Sequence, residues 1–186
     1  MILKKVLCVV FVAFLNVYAE NAAMTTTNES SLTDIELKLT PEQQRQLDSI
    51  KVENQRNLIV EKALNYIGTP YRWGANGPYK FDCSGFTKYV YDKQEIELTR
   101  CSYTQYYEGV VIKEIENLKP GDLVFFGGRN NTRTVRHVGI VKEVDSLNNT
   151  FAFIHAANSG VRIDSLHNAY YKRRYIGAKR IIEDII

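Results

Sequence analysis

The chain changes its hydrophobic period once, at Pro120-Gly121, and that change limits the folds open to it more than any other feature. Downstream lie five short β-rich runs, at 122–126, 137–144, 150–156, 160–164 and 173–181, separated by Gly, Asn, Asp or Ser. Upstream the signals are helical. Thr40-Pro41-Glu42-Gln43 is a helix start, with Thr40 as N-cap and Pro41 at the first position. Leu58, Ile59, Ala63, Tyr66 and Ile67 then recur at helical spacing until Gly68-Thr69-Pro70 ends the segment. A second helix is predicted over 83–94, with Phe86, Tyr89 and Val90 as its apolar stripe. Helices first and strands afterwards predict an α+β domain, with N-terminal helices packed on a mainly antiparallel sheet. A length of 186 residues, 45% of them hydrophobic, suffices for one such core.

The first 19 residues do not belong to that core. Lys4 and Lys5 precede a nearly unbroken apolar run at 6–17, and Val17-Tyr18-Ala19 places small residues at the −3 and −1 positions of a cleavage site. This is the pattern of a secretory signal peptide cut near Ala19, and the run is short for a membrane span. A retained membrane anchor is the alternative. Cys8 lies near the start of the run, which argues against lipid modification at the cleavage site. The expected location is therefore secreted or periplasmic. Cleavage removes two lysines and no acids, so it lowers the formal charge of +3 by two. No basic run longer than the three residues Lys172-Arg173-Arg174 and no nucleic-acid motif occurs, and no nucleic-acid partner is read from the charge. Residues 20–39 are rich in Thr, Asn, Ser and acids and read as a flexible spacer.

The chemistry centres on Phe81-Asp82-Cys83-Ser84-Gly85-Phe86. It follows a Gly/Pro/Tyr-rich turn and opens the second helix, a setting in which unpaired N–H groups and the helix dipole would depress the thiol pKa. After signal removal only Cys83 and Cys101 remain, so a disulfide between them is the structural alternative. His137 and His155 sit at the ends of two strand-like runs joined by a turn at 145–149. That turn sets His137 opposite a residue at 155–157, and both positions are odd, so a hairpin without a bulge would hold the two imidazoles on one face as direct or diagonal neighbours. A base oriented by a second polar group is what an activated nucleophile needs. A lone strand histidine is more often structural than functional. Cys83 with two histidines also suggests zinc, but a clear fourth ligand and CxxC or HxxxH spacing are missing. His167 lies in a polar segment and reads as a surface residue. Cysteine before histidine is the order of papain-like hydrolases.

Six motifs together resemble the NlpC-type, papain-like cell-wall cysteine peptidases. They are Tyr71-Arg72-Trp73-Gly74, Asp82-Cys83-Ser84-Gly85-Phe86, Arg100-Cys101-Ser102-Tyr103-Thr104-Gln105, the run from Leu118 through Pro120-Gly121-Asp122 to Phe126, His137-Val138-Gly139-Ile140-Val141, and Ile154-His155-Ala156. The resemblance covers about residues 56–182. It divides the chain into a signal peptide at 1–19, a spacer and the start of the N-terminal helix at 20–52, and an NlpC-like catalytic domain at 53–186.

By this resemblance Cys83 is the nucleophile, His137 the general base, and His155 the polar residue that orients it. Tyr71 helps hold the oxyanion. Asp82, Ser84 and Ser102 bind the free amino end of a short stem peptide, and a carboxylate beside two hydroxyls suits an ammonium. The implied activity is an exported endopeptidase acting on peptidoglycan stem peptides, at the bond between γ-D-glutamate and a diamino acid. No metal or organic cofactor is implied. Wall-associated proteins are potential partners, and the oligomeric state is left open. An amidase or acyltransferase of the same superfamily and a non-catalytic wall-binding protein are the alternatives. Thr99 and Cys101 depart from the family's common proline and threonine. The loop at 127–136, with Arg129, Arg133 and Arg136, is long. Both departures bear on substrate choice rather than chemistry.

Overall fold

The computed structural model describes residues 39–128 and 133–184. The expected signal peptide, most of the spacer, and residues 129–132 of the long loop lie outside the described residues.

Helix α1 spans Pro41–Leu64 and begins where Thr40 caps it. The Thr40 hydroxyl accepts from Gln43 N at 3.2 Å and Gln43 Oε1 accepts from Thr40 N at 2.9 Å, so two orphan donors of the first turn are satisfied reciprocally. The first turns are exposed. The second half buries Arg56, Ile59 and Ala63. Arg56 donates through Nε to the Ile182 carbonyl at 3.1 Å and pairs with Asp184 at 2.9 Å, tying the C-terminal segment to this helix. Helix α2, Cys83–Asp92, lays Phe86, Val90 and Tyr91 on the sheet. It ends short of Gln94 in a turn where Glu95 takes φ 60°.

The sheet has six strands in the order β1-β6-β2-β3-β4-β5, every neighbouring pair antiparallel. They are β1 (Val110–Ile112), β2 (Leu123–Gly127), β3 (Val135–Asp145), β4 (Thr150–Ala157), β5 (Gly160–Ser165) and β6 (Tyr175–Arg180). Both faces of the sheet are covered, which is why β2 reads as a continuous apolar run. Leu123 and Phe125 join Val138, Ile140 and Ile154 under the helices. Val124 and Phe126 join Val141, Phe153 and Tyr171 on the opposite face.

Three short elements were beyond the reach of periodicity, because three or four residues do not make a period. They are α3 (Ser102–Gln105), β1, and α4 (Ala169–Lys172), which Asn168 caps through a 2.9 Å bond from Tyr170 N. The run expected as a strand from 173 therefore opens as the end of α4, with Arg173 as its C-cap, and pairs only from Tyr175.

Candidate active site

Cys83 is the first residue of α2, and its geometry starts with the residue before it. The Asp82 side chain caps the helix by accepting from Gly85 N at 2.7 Å. Its other oxygen accepts from Gly74 N at 2.8 Å, which pins the 71–81 loop beside Cys83. Gly85 is required by that approach: a Cβ there would stand 2.2 Å from the Ala75 carbonyl. Arg100 grips both oxygens of the same carboxylate, at 3.0 and 2.6 Å, and reaches Ser84 Oγ at 3.1 Å. Gln105 holds the 99–105 segment against α2 by donating to the Ser84 and Thr99 carbonyls at 3.2 and 2.8 Å. Asp82, Ser84 and Ser102 are all buried. The structure thus joins Asp82 and Ser84 through Arg100, whose guanidinium meets the charge that the resemblance assigns to a substrate ammonium.

The expectation of a depressed thiol pKa is corrected. Cys83 is buried, and desolvation together with the adjacent Asp82 carboxylate pushes the thiol up to about 11, against the backbone N–H groups of Val138, Ser84 and Cys83 that pull it down. Sγ lies 4.0 Å from the Arg136 carbonyl at the start of β3. Both Cys83 and Cys101 are free thiols, Cys83 buried and Cys101 exposed.

The histidines meet through strand register. Ile140 pairs with Ile154, so His155 stands opposite Gly139 and His137 is its diagonal neighbour. The register slip in this ladder falls between Val141 and Glu143, on the turn side of both histidines, and it decides their face: the register of Asp145 with Thr150, continued without the slip, would set His155 opposite Ile140 and turn it away from His137. His137 Nε2 and His155 Nδ1 are 2.7 Å apart. Gly139 permits this: a Cβ there would come within 2.8 Å of the Phe153 ring and 3.1 Å of His155 Cβ. The pair lies among Phe126, Phe153 and Tyr171. Burial lowers both imidazole pKa values, His137 well below its usual range with His155 and Arg174 adding to the effect. All three shifts favour the uncharged forms, a thiol and two neutral imidazoles in one cleft.

Sequence reasoning missed Asp164. Its Oδ2 lies 2.9 Å from His155 Nε2 and accepts from the Tyr171 hydroxyl at 3.0 Å, while Oδ1 accepts from Arg162 at 2.8 Å. The signal was present in the β4–β5 turn. His155 pairs with Arg162, which makes Asp164 a diagonal neighbour of His155 on the same face. Arg100 was quoted as part of a motif but given no role.

Tyr71, Cys83, His137 and His155 line one cleft of about 440 Å³, with Arg136 and Arg174 on its wall. Burial, then Cys83 and Asp82, raise the Tyr71 pKa, so its hydroxyl keeps a proton to donate. His167 is exposed, and among the described residues no cluster suited to a metal ion occurs.

The NlpC/P60 family profile matches residues 68–180. The chain belongs to the NlpC/P60 family. It is 39% identical over 123 residues to the probable endopeptidase p60 of Listeria innocua, covering 66% of this chain and 24% of that protein. It is 35% identical over 138 residues to the murein DD-endopeptidase MepH of Escherichia coli, covering 71% and 48%. This chain thus spans about a quarter of the p60 protein and about half of MepH. Among solved structures, a Bacillus cereus NlpC/P60 protein matches with a TM-score of 0.61 at 31% identity, over 69% of this chain and 40% of that one. The NlpC/p60 domain of the peptidoglycan hydrolase SagA matches with a TM-score of 0.55 at 31% identity, over 67% of this chain and 97% of that domain. The papain-like α+β fold expected from the sequence is the fold of these relatives.

Proposed function

We propose that this NlpC/P60 chain is a cysteine endopeptidase that hydrolyses peptidoglycan stem peptides, at the amide between γ-D-glutamate and a diamino acid. The observation that carries the reading is a helix-end thiol, Cys83, opening into the same cleft as a hydrogen-bonded His137–His155 pair. Names among the relatives support the substrate class: a probable peptidoglycan endopeptidase, LytE, and a gamma-DL-glutamyl hydrolase, both of Bacillus subtilis, are 41% and 36% identical to this chain over the matched residues.

His137 commits Nε2 to His155, which leaves Nδ1 to take the Cys83 proton. Because the thiol is raised and the imidazole lowered, that transfer accompanies attack rather than preceding it. Sulfur bonds to the carbonyl carbon, and the carbonyl π electrons move onto oxygen. The Cys83 N–H, which has no intrahelical acceptor at the first helix position, and the Tyr71 hydroxyl donate to that oxyanion. Collapse breaks the C–N bond, and the imidazolium returns its proton to the leaving amine. Water then cleaves the thioester with His137 again as base, releasing a carboxylic acid and the free thiol.

In this reading Asp82, Ser84 and Ser102 bind the peptide's amino end, and the chain works outside the cytoplasm after cleavage near Ala19. Mass spectrometry of muropeptide digests tests the bond, with a Cys83→Ala control. Fragments ending in γ-D-glutamate are expected. Intact stem peptide freed from the sugar would mean an amidase, and cross-link cleavage alone would mean a DD-endopeptidase. N-terminal sequencing of exported protein tests the cleavage site.

A further inference from the structure

We propose that Asp164 is a positioning residue that sets the tautomers of both histidines and so leaves the lone pair of His137 Nδ1 facing the nucleophile. The inference rests on the assignment of Cys83 and His137 as nucleophile and base.

The argument is one of donors and acceptors. A carboxylate oxygen only accepts, so the 2.9 Å contact to Asp164 Oδ2 requires His155 Nε2 to carry hydrogen. A neutral imidazole with Nε2–H has a bare Nδ1. His155 Nδ1 must then accept across the 2.7 Å contact, and His137 Nε2 must donate. That leaves His137 Nδ1 unprotonated. Reversing His155 reverses His137 and puts a hydrogen where the thiol proton has to go. The groups around the relay are few. His155 faces His137 from β3, Asp164 and Arg162 from β5, and Tyr171 from α4. His137 faces His155 and Arg174, with Cys83 lining the same cleft. Tyr171 and Arg162 both donate to Asp164, at 3.0 and 2.8 Å, and fix its plane without competing for His155 Nε2–H.

Arg162 makes the idea testable. In Asp164→Asn the amide oxygen is drawn to the Arg162 donor, which turns the NH2 group onto His155 Nε2 and forces the wrong tautomer. Arg162 is half exposed, so its removal leaves no buried hole. All variants also carry Cys8→Ser and Cys101→Ser, so that alkylation by iodoacetamide reports Cys83 alone. Asp164→Asn should slow muropeptide hydrolysis by about 10²- to 10³-fold, towards the roughly 10⁴-fold that a wrong tautomer costs in a serine triad. It should also change the pH profile of Cys83 alkylation. Adding Arg162→Leu frees the amide to turn its oxygen back and should restore at least about tenfold, whereas a structural role would make the double variant worse. The ¹⁵N NMR spectrum of the unsubstituted protein gives a readout that needs neither substrate nor a folded variant: His155 should carry hydrogen on Nε2 and none on Nδ1. Hydrogen on His155 Nδ1, or an Asp164→Asn protein with unchanged rate and pH profile, would overturn the proposal. The expected tautomer in a protein that cleaves no stem peptide would instead refute the proposed function and leave the relay standing.

Discussion

The two sides of the cleft handle polarity in opposite ways. On the α2 side, Asp82 accepts from Gly74, Gly85 and both terminal nitrogens of Arg100, so its charge is balanced and its position overdetermined. On the sheet side, His137, His155 and Asp164 stand in single file, joined by one contact at each step and surrounded by aromatic rings. Redundant bonds tolerate the loss of one member. A single file does not, because each imidazole relays the protonation state of the next. The cleft therefore pairs a rigidly held Cys83, the proposed nucleophile, with a proposed base, His137, whose protonation depends on every link behind it.

The largest effect should come from the reacting groups. Cys83→Ala should abolish stem-peptide hydrolysis with the circular dichroism spectrum unchanged, and His137→Ala should cost about 10⁴-fold or more in kcat. A folded Cys83→Ala protein that still hydrolyses the substrate would end the cysteine-peptidase reading. Further along the file, His155→Ala should cost about 10²-fold, and His155→Asn less, because an amide can still accept from His137. Equal rates for His155→Ala and the unsubstituted enzyme would show that the file ends at His137.

Gly139→Ala strikes the same side through packing alone. Its methyl would overlap Phe153, so a loss of about 1–3 kcal/mol in urea unfolding is expected, with reduced kcat from displacement of His155. Redundancy on the opposite side should show as a milder response. Asp82→Asn keeps an acceptor for the helix cap but strips Arg100 of its charge partner, and should weaken kcat/KM by about 1.5–3 kcal/mol. Arg100→Gln sharpens the point. It frees the carboxylate for an ammonium, so the ratio of rates for free-amino over N-acetylated stem peptides should rise; a fall would place Arg100 itself on the substrate.

The smallest effect is on stability. Both imidazoles are held neutral, with pKa values below the unfolded value of 6.5. Above that pH neither state binds the proton, and the groups contribute nothing. Below it the unfolded chain takes up protons that the folded one refuses, so stability falls with pH until the folded pKa values are reached. Thermal melts should therefore drop between pH 7.5 and 5, and His155→Gln should flatten part of that slope. A Tm independent of pH in this window would mean that the histidines charge freely in the folded protein.

Much of this was legible in the sequence, for reasons tied to particular residues. Thr40-Pro41 and Gly68 punctuate a helix, and the turn at 145–149 announces a hairpin that brings His137 and His155 onto neighbouring strands, but the register at the turn would leave them on opposite faces and only the slip between Val141 and Glu143 returns them to one. The Gly/Pro/Tyr-rich turn before Cys83 announced a helix opening at that residue, whereas the capping role of Asp82 came from the structure. These are local signals, set by φ/ψ preference, capping and the two-residue repeat of a strand. The pKa of Cys83 was not legible, because desolvation depends on what covers the thiol, and the covering chain comes from β3. Nor was Arg100's claim on Asp82, since a charged side chain's partner is set by how a distant segment docks. Asp164 fell between the two cases. Its strand was readable, but its role appears only when β5 pairs beside β4 and Tyr171 closes over it. The sequence by itself determined which groups could react and in what order of elements they lie. The tertiary structure decided their protonation, because burial and hydrogen-bond direction belong to the packed molecule and not to any stretch of its chain.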